Sequence, residues 1–170
     1  KHLDPALKYN REKKSSFSIS DFFNEEEEYY RSRFEKQQIE LVINQIDDLK
    51  ITINRGKFVQ IIDNILINSE YWLSERKKNE ASFDPSISIK IESPWIYISD
   101  NGYGITQAIE SQIFEPFVST KPKGEGRGLG LFIVQQLLDS SGCTISLEPI
   151  RNEHKRKYIF AINLSNIIVS

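Results

Sequence analysis

Methionine is absent from these 170 residues, cysteine occurs once and histidine twice. Each scarcity excludes something. A chain without methionine does not begin at a translational start, so the expectation is a piece of a longer protein. A lone cysteine, Cys143, has no partner for a disulfide framework. Cys143, His2 and His154 are too few and too badly spaced for a zinc cage. No apolar run approaches the roughly 20 residues of a membrane span, and no secretory signal is present. Neither sign of charge dominates. With 22 Lys and Arg against 24 Asp and Glu, the net charge of −2 leaves no basic footprint for nucleic acid. What is there suffices for one domain around a single core, since domains run to about 100–200 residues.

Residues 1–16 are polar and basic and read as a linker or the tail of an upstream element, with the domain itself spanning 17–170. Phe17-Ser-Ile-Ser20 alternates like a short strand. Ser20 and Asp21 are candidate caps for a following helix, with Glu25–Glu28 in its early turns. Phe22, Phe23, Tyr29, Tyr30 and Phe34 recur at helical spacing and predict one apolar face. The four glutamates could be an acidic docking patch, though composition favours a solvated helix face. Residues 39–43 and 49–53 read as two strands joined by a polar turn, a hairpin. From Gly56 to about Ser74 the pattern is helical, with Phe58, Ile61, Ile62, Ile65, Leu66 and Leu73 on a wide buried face. Residues 86–92 and 95–99 alternate as strands, residues 128–142 form a helix closed by Gly142, and the terminal stretches predict a last hairpin. The sum is a mostly antiparallel, mixed sheet with about three main helices, a two-layer α+β sandwich.

Three constellations carry chemistry. Gln60, Asn64 and Asn68 share one stripe of the second helix at i, i+4 and i+8. An asparagine amide can ligate a hard cation or bond a phosphate, although such a stripe can also be a plain solvent edge. Ser99-Asp100-Asn-Gly102-Tyr-Gly104-Ile105 follows a strand, and two alternate glycines allow close approach of backbone to ligand. An aspartate held there could accept from an exocyclic amine, or the segment could be an ordinary turn. Lys121-Pro-Lys-Gly-Glu-Gly126-Arg127-Gly128-Leu129-Gly130 runs into a helix. Its glycines free backbone N–H groups beside a helix N-terminus, which together make a phosphate site.

In this order and spacing the three constellations resemble the ATP-binding domain of the gyrase, chaperone, histidine kinase and mismatch-repair (GHKL) superfamily, whose fold is the Bergerat fold. The likeness is nearest to the catalytic domain of sensor histidine kinases and spans about residues 17–165. Asn64 to Asn68 resembles the N box, Asp100 to Gly104 the G1 box, Phe114 to Phe117 the F box, and Gly126 to Leu131 the G2 box. The resemblance implies that Asn68 ligates Mg²⁺, with Asn64 near the phosphates as a catalytic residue. It implies that Asp100 accepts from the adenine amine, with Gly102, Gly104 and Ile105 beside the base. Gly128, Leu129 and Gly130 would cradle phosphate, with Lys121 and Arg127 as phosphate contacts and Lys121 the second catalytic residue beside Asn64. Phe114 and Phe117 would anchor a hinge of a mobile lid at 115–127, or pack in the core, and Phe117 joins the nucleotide set.

Some residues depart from the family pattern. Water-hydrolysing members carry a glutamate base where this chain has Asn64, the kinase-like choice. Ser69 stands where alanine is usual. Tyr71 replaces a basic residue, and Trp72 stands where an aromatic packs near adenine. No histidine-bearing hairpin fits around His2, and His154 is expected to be exposed in the last turn. The resemblance therefore implies a cytoplasmic ATP- and Mg²⁺-dependent histidine kinase domain. Its phosphoacceptor histidine would lie on a separate dimerisation domain, and a response regulator would receive the phosphoryl group. This fragment would contact no nucleic acid and no membrane, although the full-length protein could be membrane-attached. The alternatives are a GHKL ATPase outside two-component signalling, driven by lid closure or dimerisation, and a degenerate fold used only for protein interaction.

Overall fold

The computed structural model describes residues 13–122, 126 and 128–169. Most of the expected leading linker lies outside them, as do His2, Lys123, Gly124, Glu125 and Arg127. Strand β1 (Ser15–Ser18) leads directly into helix α1 (Ile19–Glu35). Ser18 caps this helix rather than Ser20 or Asp21: its hydroxyl accepts from the Asp21 N–H at 2.9 Å. The strand therefore ends two residues earlier than its alternation predicts, because the cap claims Ser18 and the helix takes Ile19 and Ser20.

Phe22, Phe23, Tyr30 and Phe34 are buried on the predicted face of α1, but Tyr29 is 52% exposed. The acidic run is divided. Glu25 and Glu26 hold Arg55 at 2.7 and 3.1 Å, while Glu27 pairs with Arg31 on the same helix. Arg55 also lies 4.8 Å over the Phe22 ring, so part of the run fastens α1 to the helix that follows.

Strands β2 (Glu40–Gln45) and β3 (Lys50–Ile53) do not form the predicted hairpin. β3 pairs antiparallel with β1 in a two-stranded ribbon, whereas β2 joins the main sheet, parallel to β4 (Ser86–Glu92). The two strands bury residues against different neighbours, so the polar turn between them crosses from one sheet to the other.

Helix α2 (Arg55–Asn79) is capped by Asn54, whose side chain accepts from the Lys57 N–H at 2.8 Å. Phe58, Ile61, Ile62, Ile65, Leu66 and Leu73 are at most 1% exposed. The helix continues past Ser74, where the apolar period stops. Arg76, Lys77 and Lys78 occupy its last turn, facing the negative end of the helix dipole. α1 is clamped to α2 by Glu70, which accepts from Arg33 Nη2 and Nε at 2.8 and 2.9 Å and from Gln37 at 2.7 Å.

β4 turns through a cis Ser93-Pro94 peptide into β5 (Trp95–Asp100). Helix α3 (Gly130–Asp139) begins two residues after the predicted start. It ends in a Schellman pair, Cys143 N–H to Leu138 O at 2.9 Å and Gly142 N–H to Asp139 O at 3.0 Å, which puts Gly142 at C′ as expected. β6 (Thr144–Leu147) and β7 (Ile159–Asn163) form the last antiparallel pair. The sheet order is β2-β4-β5-β7-β6, with only β2 and β4 parallel. Ile87, Ile89, Ile91, Ile96, Ile98 and Ile162 line one sheet face and are fully buried. α2 packs on α3 and against β4 and β5, giving the two-layer α+β sandwich. Each such isoleucine contributes about 1.5–3 kcal/mol relative to exposure.

Candidate functional site

The alternation of β5 decides the floor of the site. Ile96 and Ile98 point to the core, and Asp100 is the next residue in that row, cross-strand from Ile87. A carboxylate is thus delivered to the end of a buried apolar row, at the wall of a cleft of about 390 Å³. Burial raises the Asp100 pKa above its ordinary value. The Ser69 hydroxyl and the Gly102 N–H, which donates to Oδ1 at 2.9 Å, oppose that rise. Ser69 Oγ is itself buried on α2, and among the described residues it completes no hydrogen bond of ordinary geometry.

The loop after Asp100 is pinned from several sides. Arg76 Nη1 donates to the Asn101 carbonyl at 2.6 Å, and its guanidinium lies 4.8 Å over Tyr103 and 4.2 Å over Phe83. The Asn101 side chain accepts from Ser86 N–H at 2.8 Å and donates to Asp84 O at 2.9 Å. Tyr103 OH donates to Glu80, and Asn152 donates to the Tyr103 carbonyl at 3.0 Å. Ile105 N–H reaches Lys157 O at 2.8 Å. Gly104 has φ +92, and a Cβ there would meet Arg156 Cβ at 2.8 Å, so the close approach of the 151–157 turn needs glycine.

Opposite lies α2. Asn64 and Asn68 both line the cleft, and Asn64 Nδ2 donates to Gly130 O at 3.3 Å, which ties the helix stripe to the start of α3. Gln60, the third member of the predicted stripe, is not among the lining residues. Trp72 lines the wall one turn beyond Asn68. Among the described residues no side chain caps the N-terminus of α3, which leaves its first N–H groups without a side-chain acceptor, and Gly128, Leu129 and Gly130 line the cleft. Gly128 has φ +68, and a Cβ there would meet the backbone of Phe117 and Val118 at 2.7 Å.

Of the other predicted residues, Gly104, Ile105 and Lys121 also line the cleft, while Gly102 sits behind Asp100. Phe117 departs from its expectation. It is 76% exposed with φ 67, its N–H donating to Gly128 O at 2.9 Å, and it neither lines the cleft nor packs in the core. The reason is geometric: the left-handed backbone that closes on Gly128 turns the ring outward. Phe114 does pack, 6.1 Å from Phe160. Arg127 and part of the expected lid lie outside the described residues.

A family model described as "Histidine kinase-, DNA gyrase B-, and HSP90-like ATPase" matches residues 53–166. The chain belongs to this ATPase family. Among curated relatives, the autoinducer 2 sensor kinase/phosphatase LuxQ of Vibrio parahaemolyticus is 32% identical over 133 residues, covering 74% of this chain and 16% of that protein. Sensor histidine kinase WalK of Bacillus subtilis is 28% identical over 130 residues, covering 71% of this chain and 21% of that protein. The chain thus spans between about a sixth and a fifth of the length of these two sensor kinases. The solved mycobacterial sensor histidine kinase MprB shares the fold, with a TM-score of 0.70 at 19% identity over 91% of this chain and 97% of that one.

Several features of this ATPase domain escaped sequence reasoning. Arg156, Tyr158 and Phe160 line the cleft from the far end of the chain, where no glycine pattern or polar stripe marks them. Arg76 sits in a basic run that reads as an ordinary helix end, and only Tyr103 and Phe83 beside it reveal its role. Ser69 left a signal, the replacement of the usual alanine, whose meaning became visible with Asp100 beside it.

Proposed function

We propose that this domain binds Mg-ATP and, in its full-length chain, donates the γ-phosphoryl group to a histidine on a separate phosphoacceptor domain. A response-regulator aspartate would then receive it. The observation that carries the reading is the cleft itself: a half-buried Asp100 at one end, Asn64 and Asn68 on one wall, and the glycine-rich start of α3 on the other. Asp100 Oδ1 is occupied by the Gly102 N–H, so the other carboxylate oxygen accepts from the adenine amine. Guanine presents a carbonyl at that position and would face an unpaired carboxylate. The α3 N-terminus and Lys121 hold the phosphates.

Among the described residues no group of three or more His, Cys, Asp or Glu could hold a metal. Mg²⁺ fits this donor set all the same, because it keeps several waters and takes one or two protein oxygens plus phosphates. Asn68 supplies an amide oxygen for it. Bound there, the ion would neutralise charge on the phosphates. Asn64 offers no carboxylate base to activate water, which favours transfer to an imidazole over hydrolysis. Catalysis then rests on holding the γ-phosphorus in line with an incoming nitrogen. A cytoplasmic location follows on this reading from the supply of ATP. Titration of the domain with Mg-ATP and Mg-GTP, followed through Trp72 fluorescence, tests the first half; no binding at millimolar ATP refutes it. Incubating the full-length protein with γ-labelled ATP tests the second. Acid-labile, base-stable label supports the kinase, and phosphate release without it points to an ATPase outside two-component signalling.

A further inference from the structure

Tyr71 lies on α2 one turn beyond Asn68 and next to the cleft-lining Trp72. Its ring packs edge-on against Trp72 at 4.9 Å, with an interplanar angle of 87°. Over that ring, 4.4 Å from its centroid, stands the ammonium of Lys121, from a segment 50 positions away in the chain. The lysine stem runs past Gly126, where a Cβ would meet its Cδ at 2.8 Å, and its own N–H is held by Ser119 Oγ at 3.0 Å. Lys121 lines the cleft, and Tyr71, which adjoins the lining residue Trp72 without being one itself, holds its ammonium. The other cationic residue lining the cleft among those described is Arg156, which packs beside Gly104, at the Asp100 end. Lys121 is the lining cation at the end formed by the asparagine stripe and the α3 N-terminus.

We propose that Tyr71 is a positioning residue for the nucleotide phosphates: its ring seats the Lys121 ammonium, so that the pair sets how strongly the cleft prefers polyphosphate nucleotides to the bare nucleoside. The inference rests on the ATP reading above and deepens it. A ring suits this task better than a carboxylate. An aromatic face orients a cation by its quadrupole, so the ring fixes where the ammonium stands when a phosphate arrives. A lysine left unseated would lose rotamer freedom on every binding event.

The test compares the parent domain with Y71L, Y71F, K121A and the Y71L/K121A double variant, each titrated with ATP, ADP and adenosine in Mg²⁺. Unchanged melting temperatures check the fold. Y71L is expected to weaken ATP about threefold to fivefold, the factor a partly exposed cation–π contact carries, with adenosine affinity unchanged. Y71F should restore ATP affinity to within about twofold of the parent, since the ring face is what matters. In the K121A background, Y71L should have no further effect. Equal losses for ATP and adenosine, or additive effects of the two changes, would overturn the inference and leave Tyr71 a packing residue. No change in Y71L would overturn it as well. Failure of the parent to bind ATP at all would refute the nucleotide reading beneath it.

Discussion

Replacing Arg76 by alanine removes the clamp on the loop that carries Asp100 to Gly104. The side chain is only 14% exposed and makes four separable contacts. Its charged donor to the Asn101 carbonyl, at 2.6 Å, is of the kind worth about 1.5–3 kcal/mol. Its stacking over Phe83 at 4.2 Å and over Tyr103 at 4.8 Å adds about 0.5–1 kcal/mol for each ring. The Glu80 carboxylate on its far side faces water, where an ion pair adds little. Because neighbouring contacts are not additive, the expected loss is about 2–3 kcal/mol. For a domain of this size that lowers the melting temperature by about 4–12 °C. Urea unfolding should show an earlier midpoint with an unchanged slope, since the fold's buried area is the same. Arg76→Lys keeps the charge but not the planar group, and should recover less than half of the loss. Nucleotide affinity should fall in both variants, because the loop beside the base is no longer held. A loss below about 0.5 kcal/mol in Arg76→Ala would refute the clamp and leave the loop to Asn101, Asn152 and the Ile105 bridge.

Three further outcomes follow from the same geometry. Asp100→Asn should separate stability from binding. Burial holds the folded Asp100 pKa above its unfolded value, so this group's contribution to folding is full below the unfolded pKa and is lost as pH rises through the folded one. At neutral pH the variant should therefore unfold at an equal or higher urea concentration than the parent, with the gap closing toward pH 4, while ATP binding weakens. A variant less stable than the parent at pH 7 would contradict this. Asn68→Ala should abolish the Mg²⁺-dependent part of ATP affinity but leave adenosine binding intact, as read by titration with and without EDTA. Cys143, 3% exposed and with its thiol pKa pushed up to about 11 by burial, should resist thiol reagents at pH 8 until urea unfolds the chain; labelling of the native domain at the free-thiol rate would refute that.

How much was legible depended on range. The i, i+4 spacing of Asn64 and Asn68 puts them on one stripe because a helix repeats every 3.6 residues, whatever surrounds it. The Schellman closure at Gly142 and the glycine-rich approach to α3 are equally local, since they rest on backbone sterics within a few residues. The reading failed where partners lay far apart. β2 and β3 look alike as alternating strands, and nothing within residues 39–53 says that one pairs with Glu92's strand and the other with Ser15's. Tyr29 repeats the apolar spacing of its neighbours but falls off the face that the sheet covers. Phe117 carries a motif aromatic, yet the hydrogen bond to Gly128 turns it to solvent.

The sequence alone determined which chemical groups this domain has and in what local frames: two asparagines on one helix stripe, an aspartate after a strand, glycines opening a helix. Short-range backbone preferences and residue chemistry suffice for that. Tertiary structure decided what those groups face. Packing put Asp100 at the end of a buried row, brought Arg156 to Gly104 and set Lys121 on Tyr71, because contacts between distant segments depend on how a whole core closes and no local preference encodes them.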